Sequence, residues 1–453
     1  MITDGLSAFR NKRILLLQGP VGPFFKRLSK DLTDAGAHVF KVNFNGGDWF
    51  FYRSESVNFR GTDSEWPQFF RELLRQFDID TVMLFGDCRR YHQIAHKIAS
   101  AHGAQVGVFE EGYFRPNYVT LEREGVNGFS PLPDKPIFYL NSVSPRTVRT
   151  EPVGNTFWYA AWWAFVYYAA AILLRPWFPH YRHHRPLHIS EGFCWIRSLY
   201  RKIHYRFKER GVQAKLLGPL SGHFFLLPLQ VHNDAQIQVH SQFDTVESFI
   251  RSVVRSFAIH APLDALLVVK HHPLDRGYRD YTRFLKQLTR EFNLGKRLLY
   301  IHDQHLPSLL QHTRGVVLVN STVGLSALRH QAPLKVCGDA IYNIKGLTYQ
   351  GSLASFWTEA GQFKVNMDLF RRFQSYVIER TQLNGSFYKR LPIPGSHCGV
   401  RWEERRTGTE DDRSSVGVVP VAPALSTGAG TRLESAVAAV ADELGRDSTE
   451  AAV

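Results

Sequence analysis

Short apolar runs alternate with stretches of helical period along this chain, and they do so twice. The first series reads as strand Arg13–Gln18, helix Phe24–Ala35, strand His38–Phe44, helix Trp66–Phe77, strand Thr81–Phe85, helix Arg90–His102 and strand Gln105–Phe109. The second reads as strand His223–Leu229, helix Thr245–Ala261, strand Ala265–Lys270, helix Tyr281–Phe292, strand Arg297–Ile301, helix Leu306–His312, strand Gly315–Val319 and a helix opening near Ser321. Strands of this kind, apolar on both faces and separated by helices, build parallel sheets covered on both sides. The expected fold class is therefore α/β, with two Rossmann-like domains facing a central cleft. Ligands of open parallel sheets bind beyond the carboxyl ends of the strands, so chemistry is sought just after each strand.

The balance of 44% hydrophobic and 21% charged residues is that of a globular chain. A formal charge of +14 favours anionic partners such as phosphorylated substrates, anionic lipid or nucleic acid. No RNP, KH or helix-turn-helix signature accompanies it, which argues against nucleic acid. Cys88, Cys194, Cys337 and Cys398 are scattered and form no CxxC motif, so neither a disulfide framework nor a zinc ribbon is expected, and a reducing compartment is. No apolar leader stretch follows the first charges, which reads as cytoplasmic. From about Gly395 small residues and mixed charge dominate, the composition of a disordered tail with a weak helix over 433–444. The expected division is 1–215, 216–394 and a tail over 395–453.

Four junctions could carry chemistry. Gln18-Gly19-Pro20 leaves the first strand, where glycine lets backbone approach a ligand or simply makes a turn. Glu110-Glu111 leaves the fourth strand, followed by Arg115; consecutive residues on extended chain point opposite ways, so one glutamate faces the cleft. Such a carboxylate can act as base or nucleophile, or be a solvated loop acid paired with Arg115. Lys270-His271-His272-Pro273 leaves a buried strand. The paired histidines lack a ligand partner at metal spacing, and a basic imidazole here suits a phosphate. Asn320-Ser321-Thr322 leaves another strand and opens a helix, as an ordinary cap or a phosphate cradle. No metal or cofactor is expected.

Residues 157–174 carry no charge, and six of the 18 are Trp or Tyr. The length just reaches that of a membrane span, but these aromatics prefer the membrane interface, and a span would separate the two halves of one cleft. Arg175, Arg182 and Arg185, with His180, His183 and His184, follow it. A helix lying on an anionic membrane surface fits this pattern; a buried helix between domains is the alternative.

QGP after the first strand, FEEGYFRPNYVTLE, RPWFPHYRHHRP, PLQVHNDAQI, KHHP and the long HDQHLPSLLQHTRGVVLVNSTVGLSAL stretch together resemble the KpsS/LipB capsular polysaccharide proteins, from about Lys12 to Leu391. The resemblance implies a GT-B-like β-Kdo transferase working without a cofactor at the cytoplasmic face of the inner membrane, peripheral to it and among other capsule biosynthesis and export proteins. It implies CMP-Kdo as donor and a phosphatidylglycerol-type lipid as acceptor. His272-Pro273 would be the HP motif, with Lys270 beside it, His272 at the CMP phosphate, and Asn320, Ser321 and Thr322 around the same group. Related Kdo transferases carry Glu-Asp-Gly where this chain has Glu110-Glu111-Gly112, so Glu111 matches the catalytic carboxylate and Glu110 is the substitute. Gln18, Gly19, Arg115, Asn233 and Asp234 are lesser candidates for substrate contacts. A non-catalytic capsule export or scaffold protein, and a transferase using CMP-sialic acid, are the competing readings.

Overall fold

The computed structural model describes residues 5–145, 150–182 and 191–402. Arg185, His183 and His184 of the expected basic flank, and the expected helix over 433–444, lie outside them.

Twelve strands form two sheets: β1 Arg13–Leu16, β2 His38–Asn43, β3 Ser56–Asn58, β4 Thr81–Phe85, β5 Gln105–Glu111, β6 Tyr118–Arg123, β7 Phe224–Pro228, β8 Leu266–Lys270, β9 Leu298–Ile301, β10 Gly315–Leu318, β11 Leu334–Val336 and β12 Gln382–Asn384. The first sheet runs β12-β6-β5-β4-β1-β2-β3 and the second β11-β10-β7-β8-β9. Within the first, β3-β2-β1-β4-β5 are all parallel; the second is parallel throughout. Each parallel set thus has the strand order 3-2-1-4-5, which places its switch point between β1 and β4 in one and between β7 and β10 in the other. Two Rossmann-like units of one topology, as the alternation of runs predicts, make the fold α/β and GT-B-like.

The local reasons are ordinary. β4 (TVMLF) and β7 (FFLLP) are buried along most or all of their length because helices cover both faces. Helix Trp66–Gln76 buries Trp66, Phe70, Leu73 and Leu74, one stripe at helical spacing, under the first sheet. Helix Arg90–His102 stops where Gly103 takes φ 86°, a left-handed cap. Helix Val246–His260 starts at a reciprocal cap between Thr245 and Ser248.

Two features depart from the sequence reading. β5 continues through Glu110 and Glu111 because β6, an antiparallel partner, pairs Glu110 with Thr120 and Glu111 with Val119. The chain also returns: after helix Met367–Thr381, β12 adds to the far edge of the first sheet, with Gln382 opposite Thr120. Residues 382–394, assigned above to the second unit, therefore include a strand of the first sheet. The tail expected from Gly395 starts too early as well. Asp31 accepts from Ser396 Oγ (3.1 Å) and from the amides of His397 (2.5 Å) and Cys398 (3.1 Å), and Cys398 and Val400 are buried against the first sheet. Composition misses this because a small-residue stretch held by backbone bonds looks like a linker.

Candidate active site

The two units meet at the carboxyl ends of their strands. Phe129 stacks edge-on against His240 with ring centroids 4.4 Å apart, and Gly128 lies under the same ring, where a Cβ would sit 2.3 Å from Nδ1. Cys88 Sγ lies 3.8 Å from His240 Nε2 and 3.6 Å from Gln236 Nε2. These contacts close one end of a cleft between the two units.

The wall from the first unit is acidic. At the end of β5 the strand's alternation gives the two glutamates different surroundings. Glu111 Oε1 accepts the hydroxyl of Tyr388 (2.6 Å) and lies in the field of Arg115. Burial raises its pKa, while Arg115 and the Tyr388 bond oppose that rise. Glu110 accepts the amide of Glu111 (3.0 Å) and faces the turn after β4. Burial lifts it to about 7; the Glu111 amide and Arg89 work against the rise, and Glu111 and Asp87 add to it. Gly112 is obligatory here, since a Cβ would stand 2.0 Å from the carbonyl oxygen of Tyr118. Arg115 is fixed by its Nε bond to the Gly112 carbonyl (3.1 Å), while its buried second nitrogen, Nη1, has no hydrogen-bond partner among the described residues. A buried guanidinium nitrogen left unsatisfied beside a cleft is a place for an anionic ligand.

The wall from the second unit is basic. Lys270 ends β8 and is buried. The next two residues diverge. His271 turns into the core, where Nδ1 meets the Tyr300 hydroxyl at 2.7 Å and the ring contacts those of Tyr281 and His302. His272 stays at the cleft and caps the turn Pro273–Asp275, its Nδ1 accepting the Leu274 amide at 3.3 Å. Burial first, then Lys270, Arg115 and Arg276, hold the His272 ring neutral, down to about 3. With Nδ1 accepting, the neutral ring carries its proton on Nε2, a donor for an oxyanion. That Arg115 acts on His272 from the opposite unit puts the two walls within electrostatic reach of each other.

The remaining expected residues divide. Asp234 lies on the second wall, close enough for its charge to act on Cys88 and Arg115. Its carboxylate accepts Gln230 Nε2 (2.9 Å) and the Gln236 amide (2.9 Å). Asn320 is committed to the protein, taking Gln230 Nε2 on Oδ1 (3.0 Å) and giving Nδ2 to the Gln236 carbonyl (3.0 Å). Ser321 Oγ accepts the Val323 amide (3.3 Å) and so caps helix Val323–Arg329, while Thr322 makes no side-chain cap. Asn233 is exposed and takes part in none of these bonds. Gln18 is buried behind the first wall: Nε2 reaches the hydroxyls of Tyr167 (2.9 Å) and Tyr181 (2.8 Å), and Oε1 accepts Arg89 (2.9 Å). Gly19 has a packing reason, since a Cβ would sit 2.8 Å from the Phe25 ring. Among the described residues no group of three or more His, Cys, Asp or Glu side chains is placed to hold a metal ion.

The family model of the Capsule polysaccharide biosynthesis protein matches residues 80–388, a stretch that spans both walls. The chain belongs to that family. It is 42% identical to the capsule polysaccharide export protein KpsS of Escherichia coli over 389 residues, covering 83% of this chain and 97% of that one. It is 41% identical to the capsule polysaccharide modification protein LipB of a serogroup A strain of Neisseria meningitidis over 396 residues, covering 85% of this chain and 94% of the other. Among solved structures, it resembles the KpsC β-Kdo 2,7 transferase of Thermosulfurimonas dismutans at a TM-score of 0.39 and 14% identity, over 85% of this chain and 94% of that one.

This capsule family member has site residues that its sequence did not single out. Tyr388 lies 277 positions after the Glu111 it bonds, and only the return of the chain to the first sheet brings it there. Asp87 sits in the turn after β4, where it takes the Val126 amide at 3.0 Å, a position that the rule of looking just past each strand could have found. The aromatic helix, Phe157–Leu173, also reaches the site. Trp163 Nε1 donates to the Tyr388 carbonyl (3.0 Å), and the Tyr167 hydroxyl donates to Asp48 Oδ1 (2.9 Å) beside Gln18. Its inner face packs on Gly46 and Gly47, and its outer stripe of Trp158, Trp162 and Phe165 is exposed. No described helix is long and apolar enough to cross a membrane.

Proposed function

We propose that the chain transfers Kdo from CMP-Kdo to a phosphatidylglycerol-type lipid, working at the cytoplasmic face of the inner membrane beside other capsule proteins. The observation that carries this reading is the polarity of the cleft: paired glutamates in unlike settings on one wall, and Lys270, His272 and the unsatisfied Arg115 nitrogen converging from both units. A sugar nucleotide with an acidic sugar needs both. Its phosphate and carboxylate seek cations and N–H donors, and its anomeric carbon needs a carboxylate close by. The choice of Kdo and of CMP rests on the motif resemblance given above.

In this mechanism His272 Nε2–H, Lys270 and the Thr322 hydroxyl bind the CMP phosphate, and Arg115 takes the Kdo carboxylate. The Glu111 carboxylate, kept available as an anion by Arg115 and Tyr388, attacks the anomeric carbon. The bond from that carbon to the phosphate oxygen breaks, and CMP leaves with the electron pair. Ionised Glu110 then takes the proton of the lipid hydroxyl, whose oxygen attacks the same carbon and expels Glu111. Two displacements give net retention. The outward aromatic stripe of helix 157–173, joined to Tyr388 through Trp163, suits an acceptor presented from a membrane surface.

The test is CMP release from CMP-Kdo by the purified chain with and without phosphatidylglycerol. Lipid-dependent release with Kdo recovered on the lipid is expected. The likeness to the Escherichia coli capsule polysaccharide export protein KpsS favours a second reading, a non-catalytic export component. Absence of release with any lipid or sugar donor, from folded protein, would establish that reading instead.

A further inference from the structure

Helix Glu191–Lys208 carries a second apolar face that nothing in the cleft uses. Phe193, Ile196, the neighbours Leu199 and Tyr200, Ile203 and Phe207 recur every three or four residues along its outer side, each more than half exposed. An outward stripe this long on an 18-residue helix is a liability in water unless something covers it. Its inner side is firmly held. Tyr205 stacks on His302 with centroids 3.4 Å apart and planes 9° apart, and Glu209 takes the His302 amide at 3.0 Å. Arg201 donates to the carbonyls of Arg276 (2.8 Å) and Arg279 (3.1 Å), and Gly277 lies so close that a Cβ there would meet the Cys194 carbonyl at 2.3 Å. The helix, expected above within residues 1–215 of the first unit, therefore packs on the second, against the loop that follows His272.

We infer that this helix is a membrane-surface anchor of the second unit and that its occupant is an anionic bilayer. Charge complementarity decides for lipid. After Glu191 the helix carries no Asp or Glu; of its five Lys or Arg residues Arg201 is turned to Asp280 and Lys202 is partly buried, while Arg206 and Lys208 are exposed near the stripe. Exposed aliphatic and aromatic side chains flanked by Arg206 and Lys208, with no acid beside them, form a helix face that lies in a headgroup layer, and acidic lipid adds attraction for each nearby cation. This contact is separate from the stripe on helix 157–173 and does not depend on the transferase reading. Because the inner side grips residues 276–280, docking holds the basic wall of the cleft at a set height above the bilayer.

Flotation of the full chain with vesicles tests the inference. Equimolar phosphatidylcholine and phosphatidylglycerol is compared with phosphatidylcholine alone. Anion-dependent flotation is expected, and the combined Ile196→Ser, Ile203→Ser and Phe207→Ser substitutions weaken it about tenfold or more. CMP binding and the melting temperature stay unchanged, since none of the three touches the cleft. Should the triple variant unfold, Arg206→Gln with Lys208→Gln keeps the apolar stripe; it is expected to lower binding to the anionic vesicles and leave binding to the neutral ones as it was. Undiminished flotation of a folded triple variant overturns the inference. So does a solution dimer that the triple variant dissociates, for then a second copy covers the stripe. A matching triple in the other helix, at Trp158, Trp162 and Phe165, reads the acceptor-side contact separately, so that the two fail independently.

Discussion

Two neighbouring glutamates lie in different surroundings because β5 points them apart, and the proposed mechanism gives each its own role. Glu111→Gln keeps shape and hydrogen-bonding capacity but removes the nucleophile, so transfer is expected to fall by at least about a thousandfold with the melting temperature unchanged. Near-normal rates would remove Glu111 from the mechanism. Glu110 sits near 7 and acts as a base only when ionised. It is protonated below that pH, so the rate of transfer is expected to rise as pH increases through about 7. In Glu110→Gln that rise disappears and the rate drops about a hundredfold; a profile unchanged in shape would assign the base elsewhere. Tyr388→Phe removes one bond to Glu111 and no bulk. A loss of about tenfold in kcat with KM for the donor little changed is the signature of a residue that positions Glu111 rather than one that binds substrate.

At the scale of elements, the site depends on a piece of chain that arrives late. β12 and residues 385–402 close the outer edge of the first sheet, and Asp31 holds the end of that segment through three donors. Asp31→Ala strands these donors in a buried place, and about 3 kcal/mol of stability is expected to go with them. Denaturant titration reads the loss directly. Because Tyr388 lies between β12 and this anchor, transfer should weaken in the same variant, at temperatures where the rest of the chain is folded. A variant as stable as the parent would mean that the segment is held by its apolar contacts, among them Cys398 and Val400, without help from Asp31.

For the whole molecule the consequence of a shared cleft is linkage. On the proposed reading a nucleotide touches both units and so stabilises the folded chain over the unfolded one. At a hundredfold excess over Kd, CMP is expected to add about 2.7 kcal/mol, a rise of several degrees in Tm. UDP at equal concentration should not do so. Combining Lys270→Met with His272→Ala removes one cation and one neutral N–H donor proposed to hold the phosphate, and the shift with CMP should vanish while the unliganded Tm moves little. A shift that survives both substitutions would place the nucleotide elsewhere.

The alternation of apolar runs was enough to predict two parallel αβ units, because burial on both faces leaves a strand no choice of side chain. It also placed the end of β8 at Lys270 but stopped β5 at Phe109, two residues short, because the pairing with β6 lies outside any local pattern. What no local pattern contains is contact across long separations. β6 and β12 are of mixed polarity, and they form strands because the edge of the first sheet offers unpaired backbone groups to them. Tyr388 is a loop tyrosine until that edge brings it to Glu111. Gln18 and Asn320, both polar and both just past a strand, looked like ligand residues and are taken up by Tyr167, Arg89, Gln230 and Gln236, all supplied from elsewhere in the chain. Sequence thus set which residues stand at the rim of each sheet, since that depends on local hydrophobic period alone. Tertiary structure decided which of them keep a free hydrogen-bonding group, since that depends on every neighbour folding brings within about 3 Å.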